Sequence, residues 1–123
     1  MNHDELTDDA VTDKIWDTIT DSAKRRFDYA TLKEEFPFNP DNFLFAIIMG
    51  LAVGEAKNTI ALKLMNHMMM TGYEIEKDEI LKIIVDNEKA FGLEVLATRM
   101  ADNMLQEGGD PVTIYATIAQ LLN

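Results

Sequence analysis

Eleven consecutive residues, Phe43 to Val53 (FLFAIIMGLAV), carry neither a charge nor a strong hydrogen-bonding side chain, in a chain of net charge −11. A bilayer crossing needs about 20 apolar residues, so the run is too short to span one. It reads as a helix buried on nearly every side, the hub on which the other segments pack. A short apolar run is also compatible with a strand. The helix is favoured by the start signal before it: Asn39 as N-cap, Pro40 at the first helical position and Asp41 in the first turn. No alternating strand pattern occurs elsewhere in the chain.

Upstream, Thr7 followed by Asp8 and Asp9 is an N-cap with acidic residues at the positive end of a helix dipole. Val11, Ile15, Ile19, Ala23 and Phe27 recur every four residues and form an apolar stripe, while Asp9, Asp13, Asp17 and Asp21 repeat at the same interval on the opposite side. Lys24, Arg25 and Arg26 sit where the dipole favours cations. The stretch from Phe27 to Phe38 is aromatic-rich, and the residues around Pro37 and Pro40 break any helix, giving an expected loop over 36–40.

Downstream, helices are expected over Glu55–Thr71 (Ala56, Ile60, Leu64, Met68) with Gly72 as the stop, and over Glu76–Asn87 through Ile80, Ile83 and Ile84. Leu93–Gln106 repeats the pattern with Leu93, Leu96, Met100 and Met104, ending at Gly108-Gly109. Asp110-Pro111 then opens a last helix through Val112, Tyr115, Ile118 and Leu122. At an offset of 36 residues, Ala61 aligns with Ala97, Lys63 with Arg99, Met68 with Met104 and Gly72 with Gly108. That alignment allows a duplicated helix hairpin, and it equally fits two helix pairs obeying the same packing rules. The expected fold is all-α: a single compact bundle of five to six helices around a buried central helix at 43–53. One helical domain covers 1–123, with a flexible N-terminus at 1–6.

The absence of cysteine excludes disulfides, thiolate nucleophiles and cysteine metal sites. The first residues, MNHDELTDDAV, have neither the basic nor the apolar region of a secretory signal, so a soluble cytoplasmic protein is expected. The negative charge is spread along the chain, −6 over residues 1–42 and −5 over the remainder, which disfavours direct contact with nucleic acid or an anionic membrane. Ser22 lies on a predicted polar helix face, remote in sequence from His3 and His67, so a nucleophile–base arrangement is not expected. Every carboxylate falls on a predicted exposed face or cap. Asp13, Asp17 and Asp21 on one straight helix cannot wrap a cation; Met65, Met68 and Met69 share one helical face and read as core, so with His67 they are not expected to form a soft-metal site. No catalytic residue, cofactor or metal is expected.

Eight methionines occur, and Met68, Met69 and Met70 are consecutive, so they cannot all face one core. Methionine adapts to varied apolar partners, which makes Met65, Met69 and Met70 candidate contact residues. Trp16, beside Asp13 and Asp17, is a candidate aromatic anchor. The function expected from these features is a non-catalytic acidic interaction module: an adaptor, assembly chaperone or inhibitor of the kind found among bacterial or viral accessory proteins. Its partner is another protein with a basic surface, steered by Asp9, Asp13, Asp17 and Asp21, and self-association is compatible with it. The alternatives are a nucleic-acid mimic that blocks a DNA- or RNA-binding protein, and a small carboxylate-dependent enzyme.

Overall fold

The structure, a computed structural model, describes residues 7–36 and 39–123. The flexible segment expected at 1–6, and Pro37 and Phe38 of the expected loop, lie outside the described residues. Seven helices follow in order: α1 Asp8–Arg26, α2 Tyr29–Glu35, α3 Pro40–Ala52, α4 Lys57–Met70, α5 Lys77–Asn87, α6 Gly92–Gln106 and α7 Pro111–Leu122. The described residues contain no strand, and none of their helices is long and apolar enough to cross a membrane.

The starts of the helices form where the sequence marks them. Thr7 accepts from the Ala10 amide, Asn39 from the Asn42 amide and Asp110 from the Thr113 amide, each satisfying a donor that the first turn leaves free. The ends follow a second rule. Gly72 and Gly108 take φ of +82° and +81°, the left-handed conformation that lets the next amide fold back onto the helix. There the Tyr73 and Gly109 amides reach the Met68 and Met104 carbonyls.

Among the described residues the helices number seven rather than the expected five to six; the additional one, α2, lies in the aromatic-rich stretch ahead of the loop expected at 36–40. Asp28 caps it through the Thr31 amide and hydroxyl, at 3.2 and 2.7 Å. Phe36, which follows it, is fully buried and stacks on Phe43 with ring centroids 4.3 Å apart. Seven residues make about two turns, too few to display a periodic face.

α3 contacts α1, α2, α4 and α6, so the apolar run sits among four helices; α6 packs against α1, α3 and α7, α1 lies along α7, and α5 attaches to α4. The face of α6 that enters the core is Glu94, Ala97, Thr98 and Ala101. The stripe expected to be buried is pushed outward: Leu96 is 46% exposed, and Leu93, Met100 and Met104 are half-buried. A helix crowded by three others favours small side chains at its contacts, and alanine allows close approach where leucine would not.

In the apolar run, Phe43, Leu44, Ile47, Ile48 and Ala52 are buried, but Phe45 is 40% and Val53 59% exposed, with Met49 and Gly50 half-buried. The expectation of burial on nearly every side is therefore corrected: the run is buried on one side and open on the other. A helix lacking polar residues shows no periodicity from which its outward face could be read.

Two long-range attachments hold α3 in place. The Arg99 guanidinium donates through Nε to the Ala52 carbonyl at 2.8 Å and through Nη2 to the Leu51 carbonyl at 3.3 Å, putting a cation on the negative end of α3. At the other end, Asp41 accepts from the Tyr29 hydroxyl at 2.6 Å and pairs with Lys24 at 3.2 Å, joining α1, α2 and α3. The tyrosine hydrogen bond, then the Lys24 contact, holds the Asp41 carboxyl below its ordinary 3.8 against a modest opposing effect of burial. The same bond raises the Tyr29 phenol.

A carboxyl lowered on folding contributes stability that is present above its unfolded pKa and is lost as pH falls through the folded value. Asp41→Asn is expected to cost about 1 kcal/mol at pH 7 in urea denaturation. The difference from the parent should shrink as the pH is taken below 3.8. A second prediction concerns Gly50, where a Cβ would stand 2.8 Å from Ile60 Cγ1. Ile60 is buried and has little room to yield. Gly50→Ala is expected to lose about 1 kcal/mol, overpacking outweighing the gain in helix propensity.

Candidate partner-binding surface

The open side of α3 and the adjoining side of α4 enclose a groove of about 390 Å³. Its α3 wall is Phe45, Met49 and Val53; its α4 wall carries Ile60, Leu64 and His67. Gly50, with no side chain, lets Ile60 come close to α3 at the floor of the groove, where a Cβ would stand 2.8 Å from Ile60 Cγ1. Glu55 and Lys63 form an ion pair at the rim, so the charges there neutralise one another and the interior is chiefly apolar.

Trp16 reaches this surface from α1. It is half-buried, and its ring meets Phe45 edge-on, with centroids 5.7 Å apart and planes at 76°. It thus both closes the edge of the core and continues the apolar surface beside the groove. Asp9, Asp13, Asp17 and Asp21 are all exposed along the outer side of α1, next to Trp16. Among the described residues none of the four is in an ion pair.

The methionines divide. Met65 and Met69 line a separate shallow hollow beside the α4–α5 connection, with Glu74, Ile75 and Glu76 among its other residues. At about 100° per residue they lie nearly opposite His67 on α4. Imidazole and thioethers therefore do not converge. Met68 is core, and Met70 is 88% exposed in neither hollow. The candidate residues thus fall into two sets: Trp16 with the aspartate ridge beside the α3–α4 groove, and Met65 with Met69 around the side of α4. Sequence reasoning missed Phe45, Met49 and Val53, the residues that make the groove.

Comparison with protein-family models, characterised proteins and solved structures gave no match. The reading of the surface therefore rests on its own chemistry.

Three carboxylates depart from the expectation that all are exposed: Glu55 and Asp102 are half-buried, and burial raises the Asp102 carboxyl above its ordinary value. The third, Glu94, is fully buried; its Oε1 accepts from Ser22 Oγ at 2.8 Å and is ion-paired with Arg26 at 2.8 Å, while Arg26 Nε donates to Ser22 Oγ at 3.2 Å. Ser22 is also fully buried, a correction to its assignment to a polar face. Glu94 Oε2 is enclosed without a hydrogen-bond partner. The cluster fastens the end of α1 to α6. It contains no histidine, and Ser22 faces a carboxylate already held by a guanidinium. Among the described residues no group of three or more histidines, aspartates or glutamates is placed to hold a metal.

A buried ion is costly once its partner is removed, whereas removal of both charges is often tolerated. Arg26→Met is expected to destabilise the fold by about 3 kcal/mol. Adding Glu94→Gln to that variant should recover most of the loss. Urea denaturation of the two single variants and the double variant measures this coupling.

Proposed function

We propose that this chain is a non-catalytic interaction module, an adaptor, assembly chaperone or inhibitor, that receives apolar side chains of a basic protein in the α3–α4 groove. The observation that carries this reading is the open face of the apolar run: Phe45, Met49 and Val53 stand partly in solvent beside Trp16, although the same helix supplies Leu44, Ile47 and Ile48 to the core. An exposed aromatic and aliphatic strip next to a groove is the arrangement of an interface centre.

The charge pattern gives the partner's sign. Asp9, Asp13, Asp17 and Asp21 lie beside the groove and raise the rate of encounter with a basic surface, while the apolar contacts set how long the complex lasts. The net charge of −11 opposes close approach of a second copy, so a heterologous partner is favoured over self-association. A cytoplasmic setting belongs to this reading. So does a duplicated hairpin in the C-terminal half: the matching ends at Gly72 and Gly108 favour it, while burial of Ile60 but not of its counterpart Leu96 opposes it.

A second reading, mimicry of nucleic acid, draws on the aspartate ridge, whose one-turn spacing of about 6 Å resembles that of phosphates along a strand. The two separate in one experiment. The native partner is captured at low and high salt on the parent chain, on Val53→Glu and on an Asp13→Asn/Asp17→Asn variant. Groove binding predicts a complex that survives high salt, is lost on Val53→Glu, and forms several-fold more slowly on the double variant. Loss at high salt, indifference to Val53→Glu and displacement by DNA would instead support mimicry.

A further inference from the structure

A second hollow, of about 670 Å³, lies between α2 and α5. These helices are attached elsewhere, α2 to α3 and α5 to α4, so the sides they turn toward each other stay apart. Leu32, Tyr73, Ile75 and Ile83 give the trough an apolar floor; Leu32 is buried and the other three are half-buried.

The two ends of the trough are fixed differently. At one, Phe27, just before α2, stacks on Phe91, beyond the end of α5, with centroids 5.2 Å apart. At the other, the Tyr73 hydroxyl, ahead of α5, donates to the Glu35 carbonyl at the end of α2. The helices therefore run in opposite directions along the trough. Asp28 and Asp86 come to one end, and Glu34, Glu35 and Glu79 to the other. Seven residues separate Asp28 from Glu35 and Asp86 from Glu79, about 10 Å along a helix.

Charge decides the occupant. All five carboxylates are exposed, and the trough holds one cation of its own, Lys82. Among the described residues none of the five is in an ion pair. Hydrogen bonds from the Thr31 hydroxyl and amide hold the Asp28 carboxyl below its ordinary value. We infer that the α2–α5 trough is a second docking site, for a segment of a partner protein that carries two arginines or lysines about 10 Å apart with apolar side chains between them. The cations meet the two acidic ends and the apolar residues meet Leu32, Ile75 and Ile83. This site is separate from the α3–α4 groove and stands if that groove has another use.

The probe is an acetylated, amidated octapeptide, Arg-Ala-Ala-Leu-Leu-Ala-Ala-Arg, titrated into the isotope-labelled full chain and followed by NMR. Saturable shifts at Leu32, Ile75 and Ile83, weakening with added salt, are expected. Glu79→Gln combined with Asp86→Asn should weaken binding about tenfold. Replacing both peptide leucines by alanine should weaken it as well, while Val53→Glu should leave it unchanged. The assignment is overturned by absence of saturable binding, by equal affinity for the double variant or the leucine-free peptide, or by shifts confined to the α3–α4 groove. Loss on Val53→Glu would equally move the site to that groove.

Discussion

The close packing of α6 against α1, α3 and α7 is the contact on which the arrangement of those four helices depends. Three helices press on it at once, and the contact is made by Ala97 and Ala101, with Glu94 and Thr98 on the same side. Small side chains bring backbones close, which gains dispersion contacts along the whole length and leaves no room for leucine at those positions. The cost is that two polar residues are carried inward. Thr98 satisfies its hydroxyl on the Glu94 carbonyl, and the Glu94 carboxylate takes Arg26 and Ser22 from α1. The end of α1 is thereby tied to α6.

α3 is packed from several sides, yet its outer strip is left uncovered among the described residues: Phe45 and Val53 stand in solvent. Arg99 reaches from α6 to the last carbonyls of α3 and fixes the end of that strip. On the other flank, Gly50 lets Ile60 of α4 approach α3 closely, and both residues line the groove between the two helices.

Much of this was legible in the sequence, and the parts that were not share a cause. The ends of the helices are local chemistry, and Thr7, Asn39, Asp110, Gly72 and Gly108 all act where their neighbours place them. The inward face of α1 was equally plain, since Val11, Ile15 and Ile19 alternate with aspartates. For α6, periodicity pointed to Leu93, Leu96, Met100 and Met104, but three packed neighbours selected the small face instead. For α3, eleven apolar residues offered no contrast from which to tell inside from outside. Glu94 and Ser22 are polar by composition, and only their meeting across 72 positions makes their burial tolerable. The groove and the trough both arise between elements, and no local pattern encodes a space between helices.

The distribution of charge has a physical logic that unites the surface. Carboxylates with fixed partners, Asp41 and Glu94, join helices, and their neighbours hold them in place. The aspartate ridge on α1 and the acids of the α2–α5 trough form no ion pairs among the described residues, and apart from Asp28, which caps α2, they contribute little to the fold. Like charges left together on a small domain repel one another and lower its stability in isolation. On the proposed reading, cations arriving beside Trp16 and Phe45, and above Leu32 and Ile83, would relieve that repulsion and cover apolar surface that the described residues leave open. Binding of the proposed basic, partly apolar partner would thus remove two unfavourable terms together, which neither a purely hydrophobic nor a purely cationic ligand can do.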